Sequence, residues 1–327
     1  MRTDTPGRIR LKRQLFRLIG RGEVCDAVVV SGSPRSGTTW LAEMLSSLPK
    51  YKHLDEPLHL NSTFPVELNL EWRTYIGPQE SHPSLQSYLR SVFQGRAYGT
   101  YLTTANGRWR RMVELYRSSS VVAKFVRASR ILHWIDESFD LREIVVLVRH
   151  PCAVVSSQLS YEQGTNEWRN TSAPSSPKTD FGGTLPDEIL NRFHEVLSDI
   201  DTRIGTLAAI WALDTYCALH MHGGAPGLVI TYEELVARPA RALSRLFGAL
   251  GEKVPGEACD RLGIPSSSAA SDLLTEDAEN QLSKWKERLG PEQQDAILTV
   301  ADQLGCGFYG TDVEPEYEGI HSLGREA

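Results

Sequence analysis

Four runs of branched apolar residues punctuate the chain: Ala27-Val28-Val29-Val30, Val121-Val122-Ala123 within Ser120 to Val126, Ile144 to Val148, and Leu228-Val229-Ile230. Each run is continuous rather than alternating, the pattern of a short strand covered on both faces. Segments with apolar residues at helical spacing follow: Thr39 to Leu48, Ile131 to Phe139, Pro151 through Ser157, Asp187 to His222 and Glu233 to about Gly251. Strand and helix alternating in this way predict an α/β fold, a central parallel sheet with helices on both faces. Asp187 to His222 reads as one long helix broken near Gly205. Residues 255 to 283 read as loop-rich, and Lys284 to Pro291 as a basic turn before a last helix through Leu304.

Between the first and second helices, Tyr51 to His59 is placed to supply the second strand, and Pro57 pushes Glu56 towards an extended conformation. Residues 60 to 118 mix aromatics and arginines, among them Trp72, Arg90, Tyr101 and Trp109, without a sustained period. They read as a mainly helical insertion over the mouth of the site. Asn166 to Gly183, rich in Ser, Thr, Pro and Gly, reads as a mobile loop that orders over ligand.

The 327 residues, 41% hydrophobic, suffice for one large domain over 23–311, flanked by a basic segment 1–22 and an acidic flexible tail 312–327. The net charge of −6 argues against nucleic acid as the partner and leaves small anions open. Five scattered cysteines without a C-x-x-C pair suggest neither a disulfide framework nor a zinc site. No apolar run reaches membrane-spanning length and no signal-peptide core is visible, so a cytoplasmic location is expected. Residues 8–21 form a basic amphipathic stretch suited to weak peripheral contact with a membrane.

The chemistry concentrates where the first strand meets the first helix. Gly32-x4-Gly37-Thr38-Thr39 has the spacing of a phosphate-cradling loop, whose backbone N–H groups and helix N-terminus form an anion cup. Thr38 stands where a nucleotide triphosphatase has the lysine that reaches the β- and γ-phosphates, and the cation is Arg35 instead. A second departure lies at the end of the Ile144–Val148 run. A kinase commonly has an aspartate there to hold Mg²⁺, but this chain has Arg149, followed by a helix opening at Pro151 with Ser157 two turns along. His53, Asp55, Glu56 and His59 are candidate proton acceptors beside this edge.

Pro34-Arg35-Ser36-Gly37-Thr38-Thr39-Trp40 together with Val148-Arg149-His150-Pro151…Ser157 resembles the sulfotransferases that use 3′-phosphoadenosine 5′-phosphosulfate (PAPS). Tyr232-Glu233-Glu234-Leu235…Pro239 and Lys284-Trp285…Leu289 look like later landmarks of their bacterial members. The resemblance spans about residues 26 to 305 and implies a P-loop-like sulfotransferase fold with PAPS as donor and no metal. It assigns the 5′-phosphosulfate to Ser36, Gly37, Thr38 and Thr39, the bridging oxygen to Arg35, and the 3′-phosphate to Arg149 and Ser157. Trp40 and Tyr232 match adenine-contacting positions, Lys124 the strand lysine, and Lys284 or Lys286 a clamp from the C-terminal side. The family's histidine base two residues after that lysine is Val126 here. Asp55-Glu56-Pro57 instead resembles the Glu-Pro pair of carbohydrate sulfotransferases, which makes Glu56 the expected base, with His53 and His133 behind it. The acceptor class (glycan, phenol, other small molecule, lipid or peptide) stays open. A P-loop kinase and a non-catalytic nucleotide-binding module are the alternatives.

Overall fold

A computed structural model describes residues 20–59, 73–97, 100–102, 108–160, 183–267 and 278–324, with isolated positions 14, 17, 18, 68, 70, 71 and 181. Its centre is one six-stranded sheet: β1 (Val28–Ser31), β2 (Tyr51–Asp55), β3 (Thr100–Leu102), β4 (Ser120–Phe125), β5 (Glu143–Val148) and β6 (Leu228–Thr231), in the order β3-β2-β4-β1-β5-β6. All neighbours are parallel except β3, which runs antiparallel to β2 at the edge. With β1 in the middle, the chain crosses to β2 on one side and later to β5 on the other. The carboxyl ends of the parallel strands therefore share one edge at a switch point, where open α/β sheets bind ligands.

The uninterrupted apolar runs follow from burial on both faces. Val28 and Val30 of β1 pack with Val122, Val145 and Leu147 against α1 (Thr38–Leu45) on one side. Val29 packs with Val121, Ala123 and Val146 on the other, against α4 (Leu132–Ser138) and α8 (Arg203–Leu219). The insertion expected over 60–118 contains α2 (Pro83–Phe93), β3 and α3 (Arg108–Arg117), so it adds an edge strand as well as helices.

Several expected boundaries move. Asp187 to His222 forms α6 (Asp187–Arg192), α7 (His194–Ser198) and α8, and the chain turns before Gly205 rather than at it. There Thr202 caps α8 by accepting from the Gly205 N–H at 3.0 Å. After β6 come α9 (Tyr232–Ala237), α10 (Pro239–Ala249) and α11 (Gly256–Leu262). Lys284 lies inside α12 (Ala278–Arg288), not in a turn, because Leu282, Trp285 and Leu289 bury one face of that segment at helical spacing. α13 (Pro291–Gln303) follows.

The stretch expected to be a flexible acidic tail packs on the body through residue 324. α14 (Tyr317–His321) buries Ile320 completely, and the Leu323 carbonyl accepts from the Ala225 N–H at 2.7 Å. Arg238 pairs with Glu314 at 3.1 Å, and His321 lies 3.1 Å from the buried carboxylate of Glu234. An apolar anchor and opposite charges on the body outweigh the acidic composition. Most of segment 1–22 and most of 166–183 lie outside the described residues.

His53 on β2 is buried, and its ring nitrogens have no hydrogen-bond partner. Burial drives its pKa down to about 3, against the pull of Asp55 and with help from Lys124 and Arg261. Burial likewise lowers His150 to about 4, against backbone acceptors at Gly310 and Asp312. In the unfolded chain both rings titrate near 6.5, so below that pH the unfolded state binds more protons and gains. Their contribution to stability is complete above about pH 6.5 and is lost as pH falls towards 4 and then 3. Urea unfolding should therefore give a smaller free energy at pH 5 than at pH 7.5, and His53→Leu should flatten that difference. A slope that H53L leaves untouched would assign the acid sensitivity to other groups.

Candidate active site

The loop between β1 and α1 is shaped by two glycines. Gly32 passes so close to β5 that a Cβ would come within 2.3 Å of the Leu147 carbonyl oxygen. Gly37 adopts φ 101°, and a Cβ there would meet the Tyr232 ring at 2.7 Å. Only glycine fits either place. Gly37 is also the N-cap of α1 and offers no side chain to its first N–H groups, so those donors stay available to an outside acceptor. Beside them the Ser36 hydroxyl is buried without a partner. Thr38 and Thr39 open the helix and are buried as well.

Two arginines from separate motifs meet over this loop. Arg35, at φ 75°, donates through Nε to the Ser157 hydroxyl on α5 (Pro151–Ser160) at 3.1 Å. Arg149, just beyond β5, donates from Nη1 to the Arg35 carbonyl at 3.0 Å and stacks its guanidinium 4.0 Å over the Tyr232 ring. Its Nε is buried without a partner. Gln158, which carried no signal in the sequence, donates to the Pro34 carbonyl at 3.1 Å and ties the loop to α5.

Behind Arg149, the buried carboxylate of Glu233 accepts from the His150 N–H at 3.0 Å and from the Tyr309 hydroxyl at 2.8 Å. Burial raises the Glu233 pKa, while the His150 N–H and the charge of Arg149 oppose the rise. Glu233 thus fixes the backbone turn that aims Arg149.

An aromatic wall flanks the loop. Trp40 and Tyr232 lie 5.8 Å apart, and the Trp40 indole N–H donates to the carbonyls of Arg261 and Ile264 at 3.0 and 3.2 Å. Gln281 donates to the Tyr232 hydroxyl at 3.0 Å and accepts from Lys284 at 2.6 Å. Burial lowers the Lys284 pKa, as do the charges of Arg288 and Arg149. Lys284 therefore belongs to this corner. Lys286 is exposed, with its ammonium 5.3 Å from the Trp285 ring.

At the ends of β2 and β4, Lys124 sits between two carboxylates, 2.7 Å from Asp55 and 2.8 Å from Glu56, with Thr39 Oγ1 at 3.4 Å. Burial works against its charge, but Glu56 and Asp55 outweigh it and raise its pKa. Glu56 also accepts from the Val126 N–H at 3.3 Å and from Arg127 at 3.4 Å. Its backbone is left-handed, φ 46°, not extended as the following proline suggested. The Glu56 N–H donates to the Lys124 carbonyl at 3.0 Å, and this bond together with the carboxylate's contacts holds the unfavourable conformation. Arg127, three residues beyond Lys124, escaped the sequence reading although it lies just two residues past the end of β4.

Neither reserve histidine is placed for proton transfer. His53 is sealed inside the sheet, and His133 Nε2 lies 3.1 Å from the Cys217 carbonyl, its ring against His222.

A sequence model of the sulfotransferase family matches residues 27–256. The chain belongs to that family. No curated protein sequence matches it. Among solved structures, it is similar to the sulfotransferase domain from the curacin biosynthetic pathway, at 18% identity and TM-score 0.43 over 86% of this chain and 98% of that domain. The sulfotransferase domain of the Synechococcus PCC 7002 olefin synthase matches at 18% and 0.45 over 89% and 97%. Mouse sulfotransferase SULT7A1 complexed with PAP matches at 15% and 0.38 over 94% and 92%. Likenesses this distant add nothing to the family assignment, which rests on the sequence match.

In this sulfotransferase, Lys124 is the cation that Asp55 and Glu56 share among the described residues. Removing one partner of a buried pair commonly costs about 3–5 kcal/mol, because the opposite charge stays buried and unpaired. Lys124→Ala should lower the unfolding free energy on that scale in a denaturant titration, and adding Glu56→Gln should restore part of it. Additive losses in the double variant would mean that the two residues act separately.

Proposed function

We propose that this sulfotransferase moves the sulfuryl group of PAPS to a hydroxyl or amine of an acceptor by in-line displacement. The observation that carries the reading is the meeting of Arg35, Ser157 and Arg149 over a loop whose helix N-terminus is uncapped. The groups present suit such a donor. An orphaned Ser36 hydroxyl and free N–H groups suit the 5′-phosphosulfate, with Gly37, Thr38 and Thr39 completing the cup. Arg149 and Ser157 suit the 3′-phosphate, Trp40 and Tyr232 the adenine, and Lys284 closes the C-terminal side through Gln281.

On this reading, donor arrival exchanges the Arg35–Ser157 bond for two contacts with the ligand. Ser157 turns to the 3′-phosphate and Arg35 to the bridging oxygen. The acceptor oxygen or nitrogen attacks sulfur and gives its proton to Glu56 while the bond from sulfur to the bridging oxygen breaks. Adenosine 3′,5′-bisphosphate leaves with that electron pair. Arg35 and the loop N–H groups meet the charge that grows there, the usual way to lower such a barrier. A protonated Glu56 leaves Lys124 still paired with Asp55 at 2.7 Å, so the ammonium keeps a counter-ion while it faces the transferring oxygens.

Adenosine 3′,5′-bisphosphate at a hundredfold excess over its Kd should stabilise the protein by about 2.7 kcal/mol and raise its melting temperature, with chelator present. A rise with Mg-ATP alone would point to a kinase instead. With PAPS and a panel of phenols, amines and sugars, Arg35→Ala should reduce kcat on the order of 10²–10³-fold. Glu56→Gln should abolish most turnover while sparing bisphosphate affinity. Unchanged turnover in either variant removes that residue from the chemistry.

A further inference from the structure

Among the described residues, most of the exposed large apolar side chains outside the active site lie on α3. Trp109 is 75% exposed, Met112 57% and Tyr116 50%, and their spacing of three and seven residues puts them on one face of the helix. Exposed arginines Arg110 and Arg117 run along one flank of that face. Arg21 joins it, stacked 4.9 Å over the Tyr116 ring and donating to its hydroxyl at 2.9 Å. Leu18, 79% exposed, and exposed Arg17 lie just before it in sequence.

The charge here is predominantly positive. Residues 1–22 hold seven basic residues and one acid, and α3 holds four arginines and one acid, in a chain of net charge −6. The composition of the N-terminal segment therefore supplies no counter-charge for α3, and an anionic partner would satisfy both. Tryptophan and tyrosine on one face with arginines along its flank match the interfacial layer of a bilayer, which takes apolar and aromatic groups at headgroup depth and cations at the lipid phosphates. Among the described residues no helix is long and apolar enough to cross a membrane, so contact at the surface is the form available.

We propose that the Trp109–Met112–Tyr116 face of α3, with Arg110, Arg117 and Arg21, docks this protein on an anionic lipid surface. The surface owes nothing to the donor reading and stands or fails independently of it.

The test is flotation of the full chain with vesicles of phosphatidylcholine containing about 30 mol% phosphatidylglycerol, against phosphatidylcholine alone, at about 0.1 M salt. Binding is expected to the anionic vesicles only, and should weaken sharply at about 0.5 M salt, where charges are screened. Each arginine neutralised in Arg110→Gln and Arg117→Gln should cost roughly fivefold in partition. Trp109→Ser with Met112→Ser should remove most of the binding while leaving the melting temperature unchanged, since both side chains are solvent-facing. As a readout without the double variant, emission of the unsubstituted chain should shift blue on adding anionic vesicles, and Trp109→Phe should abolish that shift. No binding to anionic vesicles, or binding that these substitutions leave intact, overturns the proposal. So does a concentration-dependent dimer lost in W109S/M112S without vesicle binding, which would make a second copy the occupant.

Discussion

Three strand ends are tied together by one guanidinium. Arg149, at the end of β5, donates to the backbone of Arg35 beyond β1 and sits over the ring of Tyr232 at the end of β6. The Tyr232 ring in turn presses on the loop at Gly37, which has no Cβ to obstruct it. Each contact constrains the next. The loop cannot open without displacing the ring, and the ring cannot move without releasing the arginine. Glu233 and Tyr309 hold the far side of the arrangement, so the cationic tip is aimed from the protein interior, not from a mobile surface loop.

Charge is segregated along this edge. Arg35 and Arg149 lie over the β1 and β5 ends, and the acidic groups Asp55 and Glu56 lie at the β2 end, bridged to β4 by Lys124. A polyanionic donor of the kind proposed would be drawn to the first region. The left-handed Glu56 fits that division: a strained backbone is tolerated where neighbouring contacts over-determine it. A second buried charge cluster, Asp214 between Arg73 and Arg130 at 2.8 Å each, ties Arg73 of the insertion to α8.

The parallel strands and the glycine loop were legible in the sequence because continuous valine runs have few alternatives and the loop residues arrive in order. β3 was not, since three residues at a sheet edge have no period to detect. The left-handed Glu56 was missed because the proline rule is local, whereas its conformation is set by Lys124, Val126 and Arg127 across the sheet. α12 had a readable signal in Leu282, Trp285 and Leu289, hidden by the basic residues around it. Gln158 and Gln281 had none: an amide that ties a loop or a ring in place looks like any other polar residue until the fold brings it there.

The central claim is that Arg149 recognises one specific phosphate and is more than a strut for Tyr232 and the loop. Isothermal titration of the wild type and Arg149→Ala with adenosine 3′,5′-bisphosphate and with adenosine 5′-monophosphate separates the two roles. A lost charge-assisted contact is worth about 1.5–3 kcal/mol, so affinity for the bisphosphate should fall roughly 10- to 100-fold while that for the monophosphate barely changes. Equal losses for both nucleotides would contradict the account.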